Sequence, residues 1–284
     1  MIKLIFIVSI FFLTSCSNST KKENEFSDKN EYYILRGINY SQNKDYKNAI
    51  KEFKVVYKRD KKNVMAMREL AYCYIEIGDK DKAIEIYKEV LKYDEKDEIV
   101  LKNLSYLYYE KNDFVTSKYY LLLIPSDRND IFMYKMRGYL YFEEKNYKSS
   151  YDELINVILM NNEYDDVLYK RVITLLKVLN KKDELYQMLE KNYRVYSKNR
   201  DYIVIYSNIM VQEFKEIEKA KISIKRYLID NYNDTDMLLL LIELEINSGN
   251  YEKSNELLEF VKEEYKHNEK YLSIVNTLKN NKLR

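Results

Sequence analysis

The feature that most limits the fold is a unit that recurs along the chain. From Asn63 to Asp97 the sequence reads NVMAMRELAYCYIEIGDKDKAIEIYKEVLKYDEKD, two amphipathic stretches joined at Gly78-Asp79. Met67, Leu70, Ala71 and Tyr74 recur at spacings of three and four in the first stretch, as do Ala83, Tyr87, Val90 and Leu91 in the second. Wound as helices, each builds one apolar stripe. Ala71 and Ala83 are small enough to let two antiparallel helices approach closely. Gly78 has the backbone freedom to end the first helix, and Asp79 can cap the second. Composition agrees, because the 284 residues contain four Gly and one Pro, far below the usual ~7% and ~5%. A β-sandwich or a nucleotide-binding α/β fold needs more turns of that kind. The class is all-α.

Six weaker copies surround this unit. Residues 30–63 place Gly37, Tyr40, Ala49 and Phe53 where the clear unit has Ala71, Tyr74, Ala83 and Tyr87. Residues 98–130 offer Ser105, Tyr108, Asn112-Asp113-Phe114, Ser117 and Leu121, with a second helix expected to stop before Pro125. Residues 131–165 offer Gly138, Tyr141, Asn146-Tyr147, Ser150 and Leu154. In 166–200, Ile173 and Leu185 stand where small residues are expected, so either the two helices splay or the register differs by one residue. Residues 201–234 keep Ala220 but place Asn208 at the other contact. Residues 235–268 recover the turn with Gly249-Asn250-Tyr251, then Ser254, Leu258 and Val261. A last stretch, 269–284, sets Tyr271, Leu272, Val275 and Leu278 on one face, suited to covering the end of a stack. Every glycine is used, at a helix contact (Gly37, Gly138) or a turn (Gly78, Gly249), and none is left to cradle a phosphate.

The pattern resembles the tetratricopeptide repeat (TPR), a helix–turn–helix of about 34 residues. The resemblance implies a right-handed α-solenoid of about seven repeats over 30–268 with a capping helix at 269–284. It also implies a scaffold rather than a catalyst, one whose first helices line a concave groove. The chain departs from the family in lacking the proline that usually ends the second helix; Lys61, Glu95, Asn129 and Asn162 stand there. It also lacks the tryptophan often found early in the first helix, where Tyr33, Met67, Leu101 and Tyr134 occur.

The amino terminus has a separate role. Lys3 precedes an apolar run from Leu4 to Leu13, too short to span a bilayer but proportioned as a secretory signal. Leu13-Thr14-Ser15-Cys16 resembles the lipobox of bacterial lipoproteins. That resemblance implies removal of residues 1–15 and acylation of Cys16 by two or more chains, enough for stable anchoring. Residues 16–29 then read as the lipidated cysteine and a polar coil tether, which would hold the body ~20 Å from the lipid. The mature chain would keep a single thiol, Cys73, read as core filler because it lies between Tyr72 and Tyr74 on a helix.

Functional classes narrow accordingly. Lys and Arg total 48 against 46 acidic residues, without the concentrated basic excess of a general nucleic-acid binder. No HExxH, GxSxG, CxxC pair, P-loop or GxGxxG occurs, and His267 has no nucleophile motif beside it, so no enzyme, cofactor or metal site is expected. Two ladders run through the first helices: Arg68, Lys102, Lys135 and Lys170, then Tyr72, Tyr106 and Tyr139, with Tyr109 and Phe142 further along. Cations beside aromatics suit an extended peptide; alternatively the tyrosines pack between helices and Glu76, Glu110 and Glu143 neutralise the cations. Tyr72, Tyr106 and Tyr139 replace the asparagines of carboxylate-clamp TPRs, which disfavours chaperone C-termini as ligands. The expectation is an exported, lipid-anchored adaptor of the bacterial cell membrane or outer membrane. Its groove would hold an envelope protein in assembly of outer-membrane, pilus or cell-wall machinery. A glycan-binding surface lipoprotein and a non-catalytic subunit of an envelope enzyme are the alternatives.

Overall fold

The computed structural model describes residues 21–125, 130–161 and 163–282. The lipobox, Cys16 and the start of the expected tether lie outside them. Among the described residues there are fifteen α-helices and no strand, and no helix is long and apolar enough to cross a membrane. The chain divides into two compact units, one up to Met160 and one from Asn161.

The first unit holds four helix pairs: α1 (Lys21–Gln42) with α2 (Tyr46–Arg59), α3 (Val64–Glu76) with α4 (Lys80–Val90), α5 (Glu98–Glu110) with α6 (Phe114–Leu122), and α7 (Ile131–Glu143) with α8 (Tyr147–Met160). The second holds α9 (Asp166–Val178) and α10 (Lys182–Tyr196), α11 (Arg200–Ile209) and α12 (Ile217–Asp230), α13 (Thr235–Asn247) and α14 (Tyr251–Leu258), then α15 (Glu269–Lys282). α6 ends ahead of Pro125, as expected of a residue that cannot continue a helix. α1 begins at Lys21, so 21–29 continue the first helix instead of forming a coil; the stretch has no Gly or Pro to stop it.

One backbone device repeats in every pair. The residue at the turn between the two helices is left-handed: Lys44, Gly78, Asn112, Lys145, Asn180, Lys215 and Gly249 all have positive φ. Only two of the seven are glycines. The other five accept the strain that non-glycine residues meet there, because their neighbours on both sides are fixed in helices. The first helices share a second device. Asn63, Asp97, Asp130, Asp165, Asn199 and Asp234 each accept the N–H three residues on, capping α3, α5, α7, α9, α11 and α13.

Within the first unit the pairs close on small residues. A Cβ on Gly37 would lie 2.6 Å from the Phe53 ring, and one on Gly138 would lie 2.4 Å from Leu154. In the α5/α6 pair the Ser117 hydroxyl donates to the Ser105 carbonyl at 2.7 Å, so two small polar residues stay satisfied at zero exposure.

The second unit resolves both uncertain copies. Ile173 and Leu185 are both buried, and α9 and α10 approach closely over much less of their length than the helix pairs of the first unit, so large side chains stand where the other repeats have small ones and the pair is splayed. In the next pair the alignment on Asn208 is one residue out. Asn208 is exposed, whereas Ser207 is buried and its hydroxyl meets Ser223 at 3.0 Å. The cause is an extra residue: Asn199 and Glu216 stand one residue further apart than Asn63 and Asp79. The surplus is absorbed as a π-helical turn at Met210–Phe214. α15 also differs from expectation. Ile274 and Leu278 are buried with Tyr271 packed beside them, while Leu272 is 47% exposed, so the covering face is rotated by about one position.

Candidate interaction face

The first helices α3, α5 and α7 bring the two ladders together in the first unit, but with the cations already committed. Arg68 on α3 pairs with Asp97, the cap of α5, at 3.1 Å. Lys102 on α5 pairs with Asp130, the cap of α7, at 2.5 Å and with Glu98 at 2.6 Å. One side chain thus ties a repeat to the cap of the next. Burial disfavours the charge of Lys102, whose side chain is 7% exposed, yet the two carboxylates outweigh it and raise its pKa. Lys135 on α7 is also buried, its ammonium 5.8 Å from the Tyr139 ring centroid. Lys170 belongs to the second unit, where it is 62% exposed and paired with Asp166 one turn back.

The aromatic ladder is the accessible part. Tyr72 is half-buried and meets Tyr46 edge-on at 6.3 Å. Tyr106 donates to Glu110 at 2.8 Å, and Tyr109 to Glu143 on the next first helix at 3.0 Å. Tyr109 also rests on Phe114 and Tyr139, and Phe142 meets Tyr147 edge-on. Tyr139 is buried, so it packs and is not presented. Burial pushes the Tyr72 and Tyr106 phenols well above their ordinary range, so both remain neutral donors. Glu69, on the same helix as Tyr72, is raised by burial too.

The face therefore offers half-exposed rings at Tyr72, Tyr106, Tyr109 and Phe142, backed by carboxylates at Glu76, Glu110 and Glu143. The stapling aspartates were missed in the sequence, although Asp97 and Asp130 stand at the repeat spacing before each first helix. Among the described residues no cluster of His, Cys, Asp and Glu could hold a metal. Cys73 is buried and its thiol is pushed up to about 12 by burial, leaving it a packing residue.

Residues 40–105 match the tetratricopeptide repeat family model. No curated protein matches the sequence. Among solved structures, a tetratricopeptide repeat protein from Parabacteroides merdae is 14% identical over 89% of this chain and 98% of its own, with a TM-score of 0.58. PilF of Pseudomonas aeruginosa is 15% identical over 89% of this chain and 99% of its own, with a TM-score of 0.51. A chain of the APC/C Cut9–Hcn1 hetero-tetramer is 14% identical over 78% of this chain and 44% of its own, with a TM-score of 0.55. At these identities the likeness is one of fold.

Proposed function

The chain has the tetratricopeptide-repeat fold, and from that premise we propose that it is a protein-interaction scaffold anchored by lipid at Cys16 in the bacterial envelope. The partner is an extended protein segment laid along the first-helix face of the first unit. One observation carries this reading: Arg68 and Lys102 are taken up in tying repeats together, while a run of rings from Tyr72 to Phe142 stays half-exposed beside glutamates. Rigid amphipathic rings give contact area at low entropic cost. With the cations committed, the fitting segment is apolar or basic rather than acidic. The Cut9–Hcn1 hetero-tetramer offers a precedent for this fold in an assembly with a second protein.

Tyr72→Ala with Tyr106→Ala tests the face, since both rings are half-exposed; because both also pack against the core, a thermal melt first establishes that the variant is folded. In-cell crosslinking of this pair is expected to lose the partner that the unaltered chain captures. Capture at the same yield would overturn the proposal. Cys16→Ser tests the anchor, and the protein is expected to leave the membrane fraction. Retention there with unchanged detergent behaviour would remove the lipoprotein reading while leaving the face intact.

A further inference from the structure

On α2, Lys47, Lys51, Lys54 and Lys58 follow one another at helical spacing and are all exposed. Ala49, Ile50, Phe53 and Val56 occupy the opposite side of the same helix and are buried. Lys44 precedes the stripe, and Arg59, Lys61 and Lys62 extend it past the helix end; the two aspartates among them, Asp45 and Asp60, accept the backbone N–H groups of Asn48 and Lys62. The only carboxylate on α2, Glu52, is turned toward α1 and pairs with Arg36 at 3.1 Å. The stripe's hydrogen-bond and ring contacts are with neutral groups: Lys51 donates to the Asn48 side chain, Lys54 lies over the Tyr74 ring, and Arg59 lies over the Tyr33 ring, while Lys54 is also within electrostatic reach of Asp79.

No other second helix is built this way. α4 carries Asp81 and Glu85 on its exposed side, α8 Asp152, α10 Asp183 and Glu184, α12 Glu218, and α14 Glu252 and Glu256. α6 has one lysine, Lys118, and it is paired with Glu144. In a chain whose charges balance overall, an outward row of four lysines on a helix whose single carboxylate faces away marks a place where external anions complete the pairing.

We propose that this face of α2 lies against an anionic bilayer surface. The inference rests on the anchored reading for its setting, because Arg59 over Tyr33 places the basic end of α2 beside the part of α1 that leads back toward Cys16. A basic patch of this kind supplies a second membrane signal beside an acyl anchor. Each cation near an anionic surface contributes about a fivefold factor in partitioning, and the attraction is screened within about 8 Å at physiological salt. Acting together, the acyl chain would fix the distance and the stripe the orientation, with the first repeat toward the lipid.

The test uses the full chain with Cys16→Ser, so that no acyl group contributes. Co-sedimentation is measured with phosphatidylcholine vesicles with and without about one-third phosphatidylglycerol. Binding is expected only to the anionic vesicles, with loss at high salt. Replacing Lys47, Lys51, Lys54 and Lys58 by Gln is expected to weaken it several hundredfold, about fivefold for each of the four cations. Replacing Lys92, Lys96, Lys145 and Lys148 by Gln removes the same charge elsewhere and is expected to leave most of it. Absence of binding to anionic vesicles, or equal weakening by both variants, overturns the proposal. So does tighter binding to soluble polyglutamate than to the vesicles, which would mark the stripe as a protein site. Because the probe carries no lipid, failure here leaves the Cys16 anchor standing, and failure of the anchor in cells leaves this result standing.

Discussion

The two units solve the same packing problem in opposite ways. In the first, helix pairs close on Gly37, Ala71, Ser105 and Gly138, and every second helix is capped, by Asp45, Asp79, Asp113 and Asn146. In the second, the equivalent caps are Lys181, Glu216 and Asn250, and none makes a side-chain cap hydrogen bond. Bulk replaces closeness in the α9/α10 pair, while α11 and α12 still meet on Ser207 and Ser223. Tyr164, Tyr169, Tyr196 and Tyr202 form a mutual cluster with ring centroids 5.0–5.8 Å apart. A cavity of about 580 Å³ opens between α10 and α12. Close backbone packing and good caps make a repeat that is recognisable in sequence. Large side chains hold a repeat together equally well but leave little pattern.

The second unit also relies on a buried charge, and removing it is the most forceful way to break the comparison. Glu245 is 2% exposed and accepts from Lys221 at 2.9 Å, Lys225 at 2.6 Å and Asn250 at 2.7 Å. Burial alone would raise its pKa, but the hydrogen bonds from Lys225, Asn250 and Lys221 outweigh it and hold it down to about 2. Glu245→Ala removes the acceptor shared by Lys221, Lys225 and Asn250, leaving buried Lys221 with Glu218 as its one carboxylate, and is expected to cost about 3–5 kcal/mol. Hydrogen exchange should show the loss in α12 and α13, with the first unit unchanged. The pH dependence has a definite sign. A carboxylate whose folded pKa lies below its unfolded value near 4.3 stabilises fully above about pH 5, and that contribution fades as pH falls toward 2. The second unit should therefore lose protection first on acidification.

Opposite substitutions at one register position sharpen the contrast. Ile173 and Gly138 occupy the same place in their repeats. Ile173→Ala opens a void between α9 and α10 and should cost about 2–5 kcal/mol. Gly138→Ala forces a methyl into Leu154, which has no exposure to move into, and should cost about 1–3 kcal/mol. Urea denaturation of both variants checks the pair. If Ile173→Ala is neutral, the splayed pair owes nothing to that side chain.

How much of this was legible follows from where the information sits. The period, the all-α class and the turns at Gly78 and Gly249 depend on residues close in sequence, so the pattern carries them. The register of the sixth copy was not legible, because one inserted residue hidden as a π-turn leaves the apolar spacing nearly intact while moving Ser207 into the place assigned to Asn208. The fate of Lys102 was illegible for a different reason. Its partner Asp130 is 28 positions away, and only the stacking of one repeat on the next brings them together. The ladder was visible as residues. Its being spent on that stacking was not.

Caps give a smaller test and one that runs in both directions. Lys181 already has φ −92° and ψ 60°, close to the φ −89° and ψ 75° of Asp113, so its backbone is set for a capping side chain. Lys181→Asp is expected to stabilise the second unit by about 0.5–1 kcal/mol, and Asp113→Ala to destabilise the first by about 1 kcal/mol. Thermal melts of the two variants should shift in opposite directions.

The smallest expected effect concerns the one device both units share. Lys145 at φ 60° and Lys215 at φ 61° hold a conformation that costs an L-residue about 1 kcal/mol, whereas Gly78 at φ 85° adopts it freely. Glycine also widens the unfolded ensemble, which offsets part of the gain. Lys145→Gly and Lys215→Gly are therefore each expected to stabilise by only a few tenths of a kcal/mol, and Gly78→Ala to destabilise by about 1 kcal/mol. The two lysine variants should behave alike although one sits in the closely packed unit and the other follows the π-turn. If Lys215→Gly destabilises while Lys145→Gly does not, the left-handed residue after the inserted turn is held by more than backbone preference, and the sixth repeat differs from the rest in its turn as well as in its length.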